Sequence, residues 1–145
     1  MKKFQFTLQA LLDHRQRLEE EAQSTLAKEV GVLQDLENMR DLLLKEAAHA
    51  TQYEKLNTLI DLQNRQYALQ YSHTLLDQVS IKIEAIDKQK AAVTWARNAL
   101  VKATQDKKVL EIHKDNLHQE WKKKRRKWET NQTDEQTSQR WGSNL

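Results

Sequence analysis

The residues of this chain that could do chemistry are few and scattered. Its five histidines are His14, His49, His73, His113 and His118. The closest pair, His113 and His118, is five apart, which splays the two rings on a helix instead of converging them as an i, i+4 zinc pair would. Glu19-Glu20-Glu21 is a charge run of the kind that forms a wet helix face. Cysteine is absent, so neither a disulfide framework nor a thiolate metal site can form, which fits a reducing compartment. The only glycines are Gly31 and Gly142, so no loop can cradle a phosphate. No catalytic constellation, cofactor site or metal site is expected, and the chain reads as a non-enzyme.

One tract does carry a strong chemical signal. Trp121-Lys122-Lys123-Lys124-Arg125-Arg126-Lys127-Trp128 places six consecutive cations between two indoles, and the seven-residue interval puts both Trp on one face of a helix. Such a tract suits nucleic-acid phosphates with the indoles stacked on bases. It also suits an anionic membrane surface, an acidic protein cavity, or a solvated helix end whose charges complement the helix C-terminus. Six adjacent charges point all round a helix, which argues against an amphipathic membrane helix.

The elements that must position this tract are long helices. Pro is absent, charged residues make up 31% of the chain and aromatics 6%, so the turns of a compact fold have almost no residues to draw on. From Leu76 to Leu100, the residues Val79, Ile83, Ile86, Lys90, Val93, Arg97 and Leu100 succeed one another in alternating steps of four and three, the repeat of a coiled-coil seam. Lys90 and Arg97 then occupy seam positions, as Arg15 and Arg40 do on the preceding stretch. Their long stems can pack while the charged heads reach water. The first third of the chain carries the counterpart stripe, including Leu18, Leu26, Leu33, Leu36 and Leu43.

Asn57-Thr58 with Asp61 just beyond is the best turn signal. A fold-back near residue 59 brings together residues whose numbers add up to about 119. Leu18 then meets Leu100, Leu26 meets Val93, Leu33 meets Ile86, Leu36 meets Ile83 and Leu43 meets Leu76. The expected architecture is an all-α, long two-helix antiparallel coiled-coil hairpin, with helices about 5–56 and 61–129, a turn at 57–61 and a flexible polar tail over 131–145. Leu8 falls opposite Leu110 and Phe4 opposite Asp115, so the second helix overhangs beyond about residue 117.

Charge is uneven along the chain. Residues 1–50 hold seven Lys/Arg against nine Asp/Glu, whereas residues 101–145 hold eleven against seven. Met1-Lys2-Lys3 resembles the start of a leader, but Gln5, Thr7 and Gln9 interrupt the apolar run that a leader needs. No stretch reaches the ~20 apolar residues of a membrane span. The chain reads as soluble and cytoplasmic.

The opening Phe4-x-Phe6-x-Leu8-Gln9-x-Leu11-Leu12-x-x-Arg15, the charged helix, the turn and the long second helix with its basic end resemble the flagellar export protein FliJ family and the related type III secretion stalk proteins. The resemblance covers about residues 1–130. It implies a stalk like the rotary ATPase gamma subunit, linking a hexameric export ATPase to the cytoplasmic domain of the export gate protein at the inner membrane. It also implies an escort role for export chaperones in some members. By position, the gate-contact residues fall on Tyr71, Leu75, Gln78 and Lys82, of which the first two match the family in type while Gln78 and Lys82 depart from it. The ring-inserting end comprises Phe4, Phe6, Leu8 and Leu11 with Leu110, Leu117 and Trp121, and the tract Lys122, Lys123, Lys124, Arg125, Arg126, Lys127 and Trp128 would meet acidic groups of the ring or of a chaperone.

The expectation is a monomeric, non-enzymatic stalk and adaptor of flagellar protein export, with no small-molecule substrate and peripheral to the inner membrane through its partners. The alternatives are a nucleic-acid-binding coiled coil that uses the Trp121–Trp128 tract and a generic structural coiled coil.

Overall fold

A computed structural model describes residues 1–52 and 59–144. The protein is all-α, and among the described residues there is no strand. Helix α1 spans Gln9–Ala50 and helix α2 spans Leu59–Ser143. Long helices result from the composition, because no Pro interrupts either one and the two glycines cost each helix only about 1 kcal/mol.

The helix bounds differ from those expected, each for a local reason. Helix α1 begins at Gln9 and not at residue 5, and the Gln9 N–H donates to the Phe6 carbonyl at 3.1 Å. The preceding residues stay non-helical, which lets Phe6 bury its ring. At the other end α1 stops at Ala50, where the N–H and hydroxyl of Thr51 both donate to the Ala48 carbonyl, at 3.3 and 2.9 Å. The expected turn at 57–61 lies outside the described residues at 57 and 58, and residues 59–61 already belong to α2. Helix α2 continues past 129 to Ser143. Through this polar stretch Thr130, Thr133 and Thr137 donate their hydroxyls to carbonyls four residues earlier, at 2.8–3.0 Å.

Contacts divide the chain into a middle unit, residues 21–100, and a terminal unit, residues 1–20 with 101–145. In the middle unit the two helices pack antiparallel along a heptad seam. On α1 the covered positions run Ala22, Leu26, Glu29, Leu33, Leu36, Arg40, Leu43, Ala47 and Ala50, in alternating steps of four and three. On α2 they run Ala68, Ser72, Leu75, Val79, Lys82, Ile86, Gln89, Val93, Ala96 and Leu100, with the same alternation. A two-helix coil has a core one side chain deep. Accordingly the buried residues are single layers, among them Leu75, Val79, Ile86, Val93 and Ala96, each large aliphatic side chain contributing roughly 1.5–3 kcal/mol when covered.

Three of the seven predicted α2 seam residues are corrected by one position. Val79, Ile86 and Val93 are buried as expected and Leu100 is half-buried, but Ile83, Lys90 and Arg97 are displaced from the seam centre and all three are exposed. Their places are taken by Lys82, Gln89 and Ala96. Both rows keep a mean step of 3.5 from Val79, so periodicity alone allows either. The row at 75, 82, 89 and 96 is the one that packs on α1: Leu75 and Ala96 are buried, Lys82 is half-buried and Gln89 bonds Glu29 across the seam, whereas the row through Ile83 stays exposed. Two predicted layers shift likewise, with Leu75 and Lys82 in the places assigned to Leu76 and Ile83. Arg40 on α1 is half-buried as expected.

Polar groups inside the middle seam are partnered. The Ser72 hydroxyl donates to the Ala47 carbonyl at 3.3 Å, and the Gln89 amide donates to the Glu29 carbonyl at 2.9 Å and to its carboxylate. These pairs add up to 119 and 118, which is the register predicted from a fold-back near 59. Polar residues at seam positions hold one register, because any slip leaves them covered without partners.

Candidate functional site

In the terminal unit the non-helical residues before α1 dock on the side of α2 through an aromatic cluster. Phe6 is buried, its ring edge-on to His113 at 6.0 Å, with Lys114 Nζ 5.9 Å from its centroid. The same ammonium donates to Gln9 Oε1 at 2.7 Å. Phe4 lies 4.8 Å from His118 and 6.1 Å from Trp121, and His118 stacks on Trp121 at 5.9 Å. The Trp121 indole N–H donates to the Lys2 carbonyl at 3.2 Å, and the Arg125 guanidinium sits 5.5 Å above the indole. Such cation and ring contacts each contribute about 0.5–1.5 kcal/mol beyond area burial.

This cluster corrects the expected overhang. Phe4 reaches His118 and Trp121, not Asp115, so α2 is partnered to Trp121 and not only to about 117. Non-helical backbone advances up to roughly 3.3 Å per residue against 1.5 Å in a helix. A few such residues therefore cover more of α2 than an α-helical start would.

Past the docked residues the basic tract is bare. Lys122 to Trp128 are all exposed, and among the described residues the one ion pair in the tract is Arg125 with Glu129 at 2.8 Å. The depressions along Lys123, Lys127 and Asn131 are open to solvent. Of the other residues assigned to this end, Leu8 and Leu11 are exposed, while Leu110 and Leu117 are half-buried on the α2 face that packs.

Charge also fixes the terminal unit. Lys107 Nζ donates to Glu19 Oε1 at 3.1 Å with both side chains largely covered, and lies 3.6 Å from Glu111. The hydrogen bond to Glu19 holds the Lys107 pKa above that of an ordinary lysine, against a smaller opposing effect of desolvation. Arg15, half-buried as expected, pairs with Asp106 at 3.3 Å.

In the middle unit the structure spreads Tyr71, Leu75, Gln78 and Lys82 over the seam and one flank. Leu75 is 4% exposed and belongs to the core, Lys82 belongs to the same seam row, and Tyr71 and Gln78 are exposed seven residues apart. The Tyr71 phenol donates to Glu46 Oε1 at 2.8 Å, which raises its pKa above that of an ordinary tyrosine. Only Tyr71, Gln78 and part of Lys82 are therefore accessible, with Leu75 fixing them from beneath.

Sequence reasoning missed the mutual packing of Phe4, His118 and Trp121, because the non-helical start removes the helical register. It also missed the exposed row Leu62, Leu69, Leu76 and Ile83, whose steps of seven are visible but fall in part within the predicted core. Among the described residues no helix is long and apolar enough to cross a membrane, and no group of three or more acidic or imidazole ligands could hold a metal.

A family model described as Flagellar FliJ protein matches residues 4–145, nearly the whole chain. No curated protein matches the chain, and no solved structure does.

Proposed function

Because this chain belongs to the flagellar FliJ protein family, we propose that it is a non-enzymatic stalk and adaptor that links the hexameric export ATPase to the export gate. Membership makes it a flagellar export-related protein. In the proposed role the chain works as a monomer in the cytoplasm, peripheral to the inner membrane through its partners. It promotes assembly or turnover of the ATPase ring and escorts export chaperones.

The observation that carries the reading is the terminal unit. Two chain segments are held together up to Trp121 by the Phe4, Phe6, His113 and His118 cluster, and beyond it a single helix presents Lys122 to Lys127 and Trp128 with no apolar face of its own to bury. A positively charged helix end supported by a braced base suits entry into an acidic central hole, with Leu8 and Leu11 as apolar contacts at its rim. Tyr71, Gln78 and Lys82, backed by Leu75, form the proposed gate contact.

The test is the hydrolysis rate of the cognate export ATPase at fixed salt, with the full chain and with a chain truncated before Trp121. Stimulation by the full chain that the truncation weakens supports the stalk. No stimulation at saturating concentration sinks ring coupling, and tight salt-dependent binding of single-stranded oligonucleotide would then favour the nucleic-acid reading of the tract.

A further inference from the structure

The middle unit carries an apolar row that none of the roles above uses. Leu62, Leu69, Leu76 and Ile83 succeed one another in steps of seven on α2, each 40–46% exposed. Steps of seven keep them on one stripe flanking the seam. Tyr71 and Gln78 lie just before the seam residues Ser72 and Val79, on the opposite flank. The register that joins Ser72 to Ala47 places Leu44 of α1, also exposed, next to Leu76 on the row's side.

The margins of this row are acidic. Asp77 and Glu84 come directly after Leu76 and Ile83, and Asp87 lies one turn beyond Ile83. On α1, Glu37 is seven residues before Leu44, and Asp41 is one turn before it. Against these five acids stand Lys45, beside Leu44, and Lys90, which takes the next step of seven and ends the row. Asp41 is paired with Arg40 at 3.1 Å, whereas Glu37, Asp77, Glu84 and Asp87 form no ion pair among the described residues. The whole middle unit carries nine Lys/Arg against eleven Asp/Glu, while the terminal unit carries fifteen against ten.

We propose that the flank formed by Leu69, Leu76, Ile83 and Leu44 is a docking surface for a basic amphipathic helix of a partner protein. A partner helix with apolar residues in heptad steps would complete a three-helix layer over the row, and Lys or Arg beside those residues would meet Glu37, Asp77, Glu84 and Asp87. A second copy using the same flank is disfavoured, because two acidic margins would face each other. The chain's own tract Lys122–Lys127 is a poor occupant, since its charges surround the helix and leave no apolar stripe.

The test uses the full chain and a fluorescein-labelled synthetic helical peptide of about 21 residues, three heptads, with Leu on one face and Lys flanking it. A second peptide carries Glu in place of each Lys. Anisotropy titration should show the Lys peptide binding, with roughly ten-fold or more loss for the Glu peptide. A similar loss is expected for the Leu76→Ser/Ile83→Ser chain and for the Asp77→Asn/Glu84→Gln/Asp87→Asn chain. Ile81→Ser, exposed on the outer side of α2, should leave binding unchanged. All substituted positions are solvent-facing, and an unaltered circular dichroism melt confirms that each variant is folded. Equal binding of the two peptides, or undiminished binding by Leu76→Ser/Ile83→Ser, overturns the proposal. Self-association of the wild-type chain that Leu76→Ser/Ile83→Ser abolishes also overturns it, by making a second copy the occupant.

Discussion

The hydroxyl of Ser72 donates to the backbone carbonyl of Ala47 at 3.3 Å across the middle seam, and both residues are almost fully buried. A methyl group and a hydroxymethyl group face each other there, so the helices approach closely at this layer. Ala47→Leu should therefore overpack the seam and cost about 1–3 kcal/mol, measured by urea unfolding. Ala48→Leu, one residue away and exposed, should be within ~0.5 kcal/mol of wild type.

The corrected phase of the α2 seam has its own test. Ile86→Ala should cost about 2–4 kcal/mol because Ile86 is 2% exposed, whereas Ile83→Ala should cost less than about 1 kcal/mol. Equal costs in denaturant titration would mean that both rows pack.

Docking of the first residues should be visible in tryptophan emission. Trp95, Trp128 and Trp141 are exposed and can be replaced by Phe, leaving Trp121 as the sole reporter. In that background Phe4→Ala should shift the emission of Trp121 to the red, because the indole loses Phe4 at 6.1 Å and gains water. An unshifted spectrum would argue against the aromatic cluster.

Alkaline pH should weaken two cross-helix contacts for the same reason. The pKa of Tyr71 is raised by its hydrogen bond to Glu46, and that of Lys107 by its hydrogen bond to Glu19. In each case the protonated form is the donor, so the contact is intact below the unfolded-state values, near 10 for Tyr and 10.4 for Lys. It is lost as pH rises through the higher folded-state values. A phenolate absorbance titration, taken as wild type minus Tyr71→Phe, should place Tyr71 above an ordinary tyrosine, and Glu46→Gln should bring it down.

Among the described residues, the helical stretch past the basic tract is held by local bonds. Removing residues 131–145 should leave the unfolding free energy unchanged within ~0.5 kcal/mol. Trypsin should cut within Lys122–Lys127 before it cuts the seam at Lys107, since the first region is exposed and the second is covered. Protection of the tract in the free chain would contradict this.

The amino-acid sequence by itself determined that the chain is two long helices folded back on each other, and it determined the register. Absent Pro and scarce Gly leave no other fold class open, and Leu26 with Val93 or Leu33 with Ile86 align only for a fold-back near 59. The family was also legible, because the opening Phe4, Phe6, Leu8 and Leu11 pattern precedes a charged helix in a way that composition alone does not require. The tertiary structure decided what a repeat of 3.5 leaves degenerate. Two rows flank Val79, Ile86 and Val93 at equal spacing, and only packing against α1 shows that Leu75 and Ala96 go inside while Ile83 and Arg97 stay out. It also decided where the paired part of α2 ends. The reach of Phe4 to Trp121 depends on whether residues before Gln9 are helical, and that is settled by the docking of two aromatic rings on α2, a long-range contact that local propensity does not contain.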